Sequence, residues 1–126
     1  ILERHTADAA ALALQMRQDP SWPPENGLVD LGSGGGFPGL VLAALFPTIP
    51  ATLIERSAAK AGFLRHTAAR LGLSAVRVVE GEFPAAAGDV TPGWLTSRAI
   101  ERPEVVGKAV ARWLSPSTVF WCQSAA

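Results

Sequence analysis

The chain has 126 residues, which suits one folded domain and leaves too little sequence for a second core. Lysine and arginine total 11 and balance 11 aspartates and glutamates, so no net positive charge favours non-specific nucleic-acid binding. Although 48% of the residues are hydrophobic, the longest clean apolar run, Leu40 to Phe46, is far shorter than the ~20 residues that span a bilayer, and we expect neither a membrane segment nor a signal peptide.

The first 27 residues predict a helix followed by a linker. Residues 1 to 16 are rich in Ala and Leu and free of Gly and Pro, which favours a helix. His5 and Asp8 share one face of it, either as an ordinary surface pair or as part of a site. Residues 19–27 contain three prolines and an Asn-Gly turn, which is typical of a linker. The residues expected on the inward face of the helix are Leu2, Ala9, Leu12 and Met16.

From residue 28 onwards, short apolar runs alternate with helical patterns, which favours an α/β fold with a mostly parallel, doubly wound sheet. Residues 85–92 are too short and broken for a full crossover helix, and we expect a bare loop there. In the helix over 57–71, residues Phe63, Leu64, Thr67 and Leu71 are expected to face the sheet. Strands are predicted over 28–31, 51–55, 75–79, 93–98 and 118–122, and helices over 38–46, 57–71 and 104–114.

A glycine-rich turn follows the first predicted strand. Glycines at 32, 34, 35 and 36 allow positive φ and close approach to a ligand, and Pro38 suits the first turn of the next helix. Gly34, Gly36 and Gly39 also satisfy the dinucleotide pattern G-x-G-x-x-G. So dense a run of glycine is unusual in a turn that binds nothing. The turn therefore predicts a cofactor site, either for a dinucleotide or for S-adenosylmethionine.

Asp30 distinguishes between these two cofactors. It lies just before the turn, and we expect its carboxylate at the lip of the site. A carboxylate there would repel a pyrophosphate. It would attract the ammonium and sulfonium groups of S-adenosylmethionine by about 1 to 4 kcal/mol at contact distance. The charge therefore favours S-adenosylmethionine.

Two further segments are candidates for cofactor contacts. Glu55 ends the second strand nineteen residues after Gly36, close to the ~20 residues expected of an acid that binds a ribose, although an exposed glutamate is the alternative. The third strand runs into Gly81, Glu82 and Phe83, where backbone groups are expected to hold an adenine ring beside Phe83.

Basic residues form the third group of candidates. Arg98 ends the fourth strand, near the expected switch point between the first and fourth strands, where ligands of open α/β sheets bind. The alternative to a role in the site is that Arg98 caps the next helix or pairs with Glu101. Lys60 belongs to a set of cations that normally forms a solvated helix face, although it could reach the cofactor or an RNA phosphate.

The segment Asp-Leu-Gly-Ser-Gly-Gly-Gly-Phe-Pro-Gly at 30–39 resembles the signature of the glucose-inhibited division protein B family, bacterial guanine-N7 methyltransferases of small-subunit ribosomal RNA. The resemblance extends from Arg4 to Ala99. Near Glu82 the family usually carries an arginine, and this acid puts the RNA-facing chemistry in question; the family also extends beyond both ends of the chain. Three other segments match the family in order: Arg4-His5 with Asp8, Glu55 with Lys60-Ala61-Gly62-Phe63-Leu64, and Thr96-Ser97-Arg98-Ala99.

The resemblance implies a Rossmann-like class I methyltransferase domain over 1–126, with 28–126 as its α/β core, S-adenosylmethionine as cofactor and ribosomal RNA or the small subunit as partner. It implies a catalytic role for Arg98, which would orient the acceptor base. Substrate contacts are expected from His5, Asp8, Pro38 and Lys60. The implied cofactor-binding residues are Asp30, Gly32, Ser33, Gly34, Gly36, Phe37, Glu55, Arg56, Gly81, Glu82, Phe83 and Arg98.

Two other functions stay open. A catalytically silent or regulatory S-adenosylmethionine-binding domain would suit the acid at Glu82 and the balanced charge, and a dehydrogenase would suit the glycine pattern alone. The apolar fifth strand predicts a homodimer through its edge or further strands in the parent protein. The lone Cys122 has no partner for a disulfide or metal site, so we expect a cytoplasmic protein that binds no metal.

Overall fold

The computed structural model describes residues 2–36, 38–82, 85–87, 91–98, 111 and 116–123. Its α-helices include α1 (Leu2–Gln18), α2 (Gly39–Leu45) and α3 (Ala58–Arg70). Its strands are β1 (Leu28–Leu31), β2 (Ala51–Glu55), β3 (Val76–Glu80), β4 (Trp94–Arg98) and β5 (Val119–Gln123).

The strands form one 5-stranded sheet in the order β3-β2-β1-β4-β5, and every pair is parallel. β1 is central and pairs with β2 on one side and with β4 on the other. The order therefore reverses at β1, and the predicted parallel sheet with its switch point between the first and fourth strands is confirmed. Because the strands are parallel, their carboxyl ends share one edge of the sheet, where Glu55 and Glu80 lie side by side.

The observed bounds of the strands lie within one residue of the predicted ones. α3 begins after Ser57, whose hydroxyl accepts a hydrogen bond from the Lys60 backbone N–H at 3.3 Å, as expected of an N-cap. In the described part of the expected bare loop over 85–92, residues Ala85–Ala87 form a 3-10 turn. The predicted helix over 104–114 lies outside the described residues apart from residue 111.

The buried face of α3 differs from the predicted one. Ala61, Leu64 and Ala68 are buried, whereas Phe63 is 51% and Leu71 is 57% exposed, so the expectation that these two face the sheet is wrong. The two alanines flank Leu64 and let the helix lie close to the sheet. Because successive residues of a helix are rotated by about 100°, Phe63 and Leu71 then point outward, although they are larger and more apolar than the two alanines.

The inward face of α1 is confirmed at Ala9, Leu12 and Met16, which are buried. Together with Leu28 and Trp94, the last two belong to the core beneath the amino ends of the strands.

The linker after α1 packs on the same end of the sheet. The ring of Trp22 lies 4.8 Å from that of Phe46 and 5.7 Å from that of Trp94. Ser21 Oγ accepts a hydrogen bond of 2.6 Å from Trp94 Nε1. The linker is therefore part of the domain, and it leaves the carboxyl edge of the sheet to other residues.

β5 is the last strand of the described sheet, and Phe120 on it is 38% exposed. A homodimer or additional strands at this edge stay predictions. In the part of the chain that the structure describes, no helix has both the length and the apolar character needed to cross a membrane.

Candidate functional site

The glycine-rich turn is anchored to the end of β2. The backbone N–H groups of Gly32 and Ser33 donate to the Ile54 carbonyl at 2.9 and 3.2 Å, and the N–H of Gly36 donates to the Ser33 carbonyl at 2.7 Å. Gly32 and Gly36 have φ values of 65° and 96°, which disfavour side chains. These hydrogen bonds stabilise the tight turn that connects β1 to α2.

Asp30 lies beneath this turn and is fully buried. Its Oδ2 accepts a hydrogen bond of 2.7 Å from Ser33 Oγ, and its Oδ1 accepts one of 2.7 Å from Thr96 Oγ1 on β4. The backbone N–H of Gly39, at the start of α2, also donates to this carboxylate. Asp30 therefore joins the turn, the next helix and the neighbouring strand.

The expected position of Asp30 at the lip of the site is wrong, because no part of the residue reaches solvent. Parallel pairing on both sides of β1 turns this side chain into the layer between sheet and α2. Burial raises the pKa of Asp30 to about 6, although its hydrogen bonds oppose this rise. A cofactor contact by Asp30 stays a prediction, and the observed contacts support an indirect one through the turn.

Gly39 is the point where α2 approaches Asp30 most closely. A Cβ atom added there would lie 2.7 Å from the Asp30 carboxyl carbon and 2.9 Å from its Cβ, closer than such atoms can come. The requirement for glycine is therefore steric and comes from a residue on the preceding strand.

Glu55 holds the turn from the opposite side. Its Oε1 accepts a hydrogen bond of 2.9 Å from the Gly34 N–H, and its Oε2 accepts one of 2.8 Å from the Ser57 N–H. The residue is only 6% exposed. Each carboxylate oxygen can accept a further hydrogen bond, so Glu55 can bind a ligand hydroxyl while it keeps both backbone contacts.

A cavity of about 430 Å³ opens beside Glu55, at the carboxyl ends of β1, β2 and β3. This volume lies within the ~300 to 1,000 Å³ typical of sites for small molecules and cofactors. A Cβ placed on Gly32 would meet no atom within 4 Å, so the turn leaves open space there. The cavity is lined by Gly32, Ile54, Glu55, Arg56, Lys60, Gly81 and Glu82.

These features fit a nucleoside cofactor. The carboxylate of Glu55 can accept from ribose hydroxyls, and the bare backbone at Gly32 leaves open space for a ligand. The structure thus brings together five predicted cofactor residues and adds Lys60, which was expected to contact substrate. The five are Gly32, Glu55, Arg56, Gly81 and Glu82.

Other predicted residues lie elsewhere. Ser33 is 1% exposed and uses its hydroxyl on Asp30, while Pro38 is fully buried, so a substrate contact at Pro38 would require the turn to open. Asp8 is exposed on α1 and does not line the cavity.

Some predicted positions cannot be placed in the site. Phe37 and Phe83 lie outside the described residues. For His5 and Arg98 the structure describes the backbone, in α1 and at the end of β4, but not the side chain. Their roles stay predictions. Within the described ranges, no group of three or more His, Cys, Asp or Glu side chains could hold a metal ion.

Sequence reasoning missed Thr96 and Gly39 as partners of Asp30. Thr96 is 66 residues away and carries no local signal for such a bond. The one available clue was its place on a strand predicted to lie beside β1, where parallel register sets it opposite Asp30.

Two curated relatives of the chain carry the same name. A ribosomal RNA small subunit methyltransferase G from Acidothermus cellulolyticus is 38% identical over 117 residues, covering 93% of this chain and 49% of that protein. One from Chloroflexus aggregans is 42% identical over 79 residues, covering 63% of this chain and 31% of that protein. The chain thus spans about a third to a half of the length of these relatives.

Solved structures share the fold at low identity. Coclaurine N-methyltransferase bound to N-methylheliamine and SAH superposes with a TM-score of 0.75 at 15% identity, covering 94% of this chain and 35% of that one. A SAM-dependent methyltransferase from Thiobacillus denitrificans in complex with S-adenosyl-L-homocysteine gives 0.72 at 19% identity, covering 92% and 47%. The chain has the Rossmann-like class I methyltransferase fold.

The family assignment rests on most of the chain. The sequence model of the GidB family, described as rRNA small subunit methyltransferase G, matches residues 1–123. The match contains the glycine-rich turn and Glu55, which contribute to the lining of the cavity, and it also contains β4. The chain belongs to the GidB family of rRNA small subunit methyltransferase G.

Proposed function

We propose that this chain is the cofactor-binding part of an S-adenosylmethionine-dependent methyltransferase that acts on guanine N7 of small-subunit ribosomal RNA. The observation that carries the proposal is the cavity at the carboxyl edge of the sheet, between the glycine-rich turn and Glu55. Family membership supports the RNA substrate of this proposal, and the fold supports its class of cofactor.

Within this proposal, Glu55 accepts hydrogen bonds from the ribose, and the backbone of Gly81 and Glu82 borders the adenine. Gly32 and Gly34 face the methionine part. When bound, S-adenosylmethionine supplies an electrophilic methyl group. Because guanine N7 carries no proton, the residues that hold the cofactor and the base would need only to align this methyl group with the N7 lone pair, without a general base.

Arg98 would orient the acceptor base or its phosphate, because it ends β4 beside the switch point. We expect Arg98→Ala to lower methyl transfer to small subunits roughly ten- to hundredfold, the effect of losing one charge-assisted contact of about 1.5 to 3 kcal/mol. S-adenosylhomocysteine affinity should stay nearly unchanged, since the contact is made to the acceptor. Radiolabelled methyl transfer and calorimetry measure the two quantities.

The substrate for this test is the small subunit from a strain that lacks the modification. No transfer by the unmutated chain would leave the silent cofactor-binding domain as its function. Loss of S-adenosylhomocysteine binding in Arg98→Ala would instead assign Arg98 to the cofactor pocket. Tight binding of NAD would contradict the cofactor assignment altogether.

A basic flank of α3 offers a place for RNA phosphates, and Lys60 in the first turn of this helix also lines the cavity. Lys60 and Arg70 are exposed, α3 contains no acidic residue, and Phe63 between them is 51% exposed. At about 100° per residue these three lie toward one flank, while Arg65 lies toward the other. Cations interleaved with an exposed aromatic ring are typical of surfaces that bind single-stranded RNA.

We expect the double variant Lys60→Ala, Arg70→Ala to weaken binding of a small-subunit RNA fragment and to reduce the salt dependence by about two phosphate contacts. The matched control is Arg65→Ala with Arg77→Ala, which removes two exposed cations that lie away from this flank. Fluorescence anisotropy at several salt concentrations measures both. Equal losses in the two double variants would reduce the effect to general charge and refute the proposed contact.

The proposal also includes a cytoplasmic location with the small ribosomal subunit as partner. As a separate element, it includes a homodimer through the edge of β5. Phe120 at this edge is partly exposed. If light scattering gives the mass of a monomer at high protein concentration, the proposed dimer is refuted, while the proposed methyltransferase function is unaffected.

A further inference from the structure

The contacts of Asp30 connect parts of the chain that are far apart in sequence. Ser33 in the turn, Gly39 at the start of α2 and Thr96 on β4 all donate to its carboxylate. Ser33, Thr96 and Asp30 are each 1% exposed or less. Because these groups are shut off from bulk solvent, each donor to the carboxylate matters.

We propose that Thr96 is a positioning residue for the cofactor: through Asp30 it holds the glycine-rich turn in the shape that the cavity requires. This inference rests on the proposed cofactor function and adds a residue that touches neither cofactor nor acceptor.

The turn is held from two sides, and the two sides differ. Glu55 binds the Gly34 N–H from the cavity side, where a ligand can also reach it. Asp30 binds Ser33 from the buried side, where only protein groups reach it. Thr96 sets the position of the Asp30 carboxylate, because its hydroxyl holds the oxygen that does not bind Ser33.

Removal of the Thr96 hydroxyl leaves Asp30 Oδ1 buried without this partner. A buried charged acceptor without a partner is costly, so the carboxylate would rotate or take up a proton. Either change alters its bond to Ser33 and its contact with Gly39. The backbone of the turn, which borders the cavity at Gly32, would then shift.

The ionised carboxylate is the form that accepts all these donors. The elements around it contribute few other ionisable groups: α2 has none, β1 has only Asp30, β2 ends on Glu55 and β4 ends on Arg98. Burial raises the pKa of Asp30, and its hydrogen bonds lower it, the bond from Thr96 most strongly. Loss of that bond should therefore raise this pKa further, and cofactor binding should weaken at a higher pH than in the unmutated chain.

The test compares Thr96→Val, which keeps the shape and removes the hydroxyl, with Thr96→Ser, which keeps the hydroxyl. S-adenosylhomocysteine affinity is measured by calorimetry from pH 5 to pH 8, and circular dichroism monitors the fold. We expect Thr96→Val to lower the affinity roughly tenfold or more at pH 8. Its acid limb should move to higher pH, while Thr96→Ser should stay close to the unmutated chain.

Thr52→Val is the matched control, since it makes the same change on β2 at a position whose neighbour in register is Val29 and not Asp30. It should leave both readouts unchanged. If Thr96→Val fails to fold, Ser33→Ala replaces it, because it removes the other hydroxyl donor from the same carboxylate.

The inference is overturned if Thr96→Val binds with the unmutated affinity and pH profile, or if Thr96→Ser is as impaired as Thr96→Val. Equal affinity of Ser33→Ala and the unmutated chain would overturn it in the same way when Thr96→Val does not fold. These results differ from failure of the proposed function, in which the unmutated chain itself binds no S-adenosylhomocysteine at any pH.

Discussion

Gly39→Ala should destabilise the domain by about 1 to 3 kcal/mol or more, the usual cost of forcing an extra carbon into a packed interior. The added Cβ would press on the buried carboxylate of Asp30, which is bonded to Ser33 and Thr96 and has no free space to move into. Relief by moving α2 would pull the glycine-rich turn away from β2. Denaturant unfolding followed by circular dichroism measures the change.

Gly35→Ala is the matched control in the same turn. A Cβ on Gly35 would meet no atom within 4 Å, and its φ is not positive. We expect its free energy of unfolding to stay within about 0.5 kcal/mol of the unmutated value, as for an ordinary surface substitution. Equal stability of the two alanine variants would contradict the close contact between α2 and Asp30.

Glu55→Ala should produce the largest loss of cofactor binding. The change removes the acceptor of the Gly34 and Ser57 backbone N–H groups, and with it the proposed acceptor of the ribose hydroxyls. Loss of two charge-assisted contacts at about 1.5 to 3 kcal/mol each predicts an affinity for S-adenosylhomocysteine that is roughly a hundredfold to twenty-thousandfold weaker. Calorimetric titration at constant salt measures it.

Glu80→Ala provides the comparison for this variant. Glu80 is the register neighbour of Glu55 on β3, is exposed and does not line the cavity, so its removal deletes the same charge without touching the site. The affinity of Glu80→Ala for S-adenosylhomocysteine should be nearly unchanged. A similar loss in both variants would mean that the effect is one of overall charge, and the ribose assignment of Glu55 would fail.

Sequence periodicity and turn chemistry determined the elements of this fold. The alternation of short apolar runs with helical segments predicted every strand within one residue, and the spacing from the glycine-rich turn to Glu55 selected an acid that does line the cavity. These features are local. Glycine density, helix caps such as Ser57 and the length of a βαβ unit are all visible over a few tens of residues.

Only the tertiary structure decided how the residues of the site divide between cavity and core. Asp30 was expected to face the ligand and is fully buried, because β1 is paired on both sides and α2 covers its inner face. The partnership with Thr96 and the steric need for glycine at 39 depend on close contacts across the fold. In α3, the small residue Ala61 packs inward and the hydrophobic Phe63 is exposed.

The sequence by itself therefore determined which elements form and selected Glu55, which lines the cavity. Packing decided which of the other polar groups line that cavity and which are buried beneath it. The reason is that a carboxylate has the same sequence signature whether it meets a ligand or three buried donors, and only the strand register, which puts Thr96 opposite Asp30, distinguishes the two.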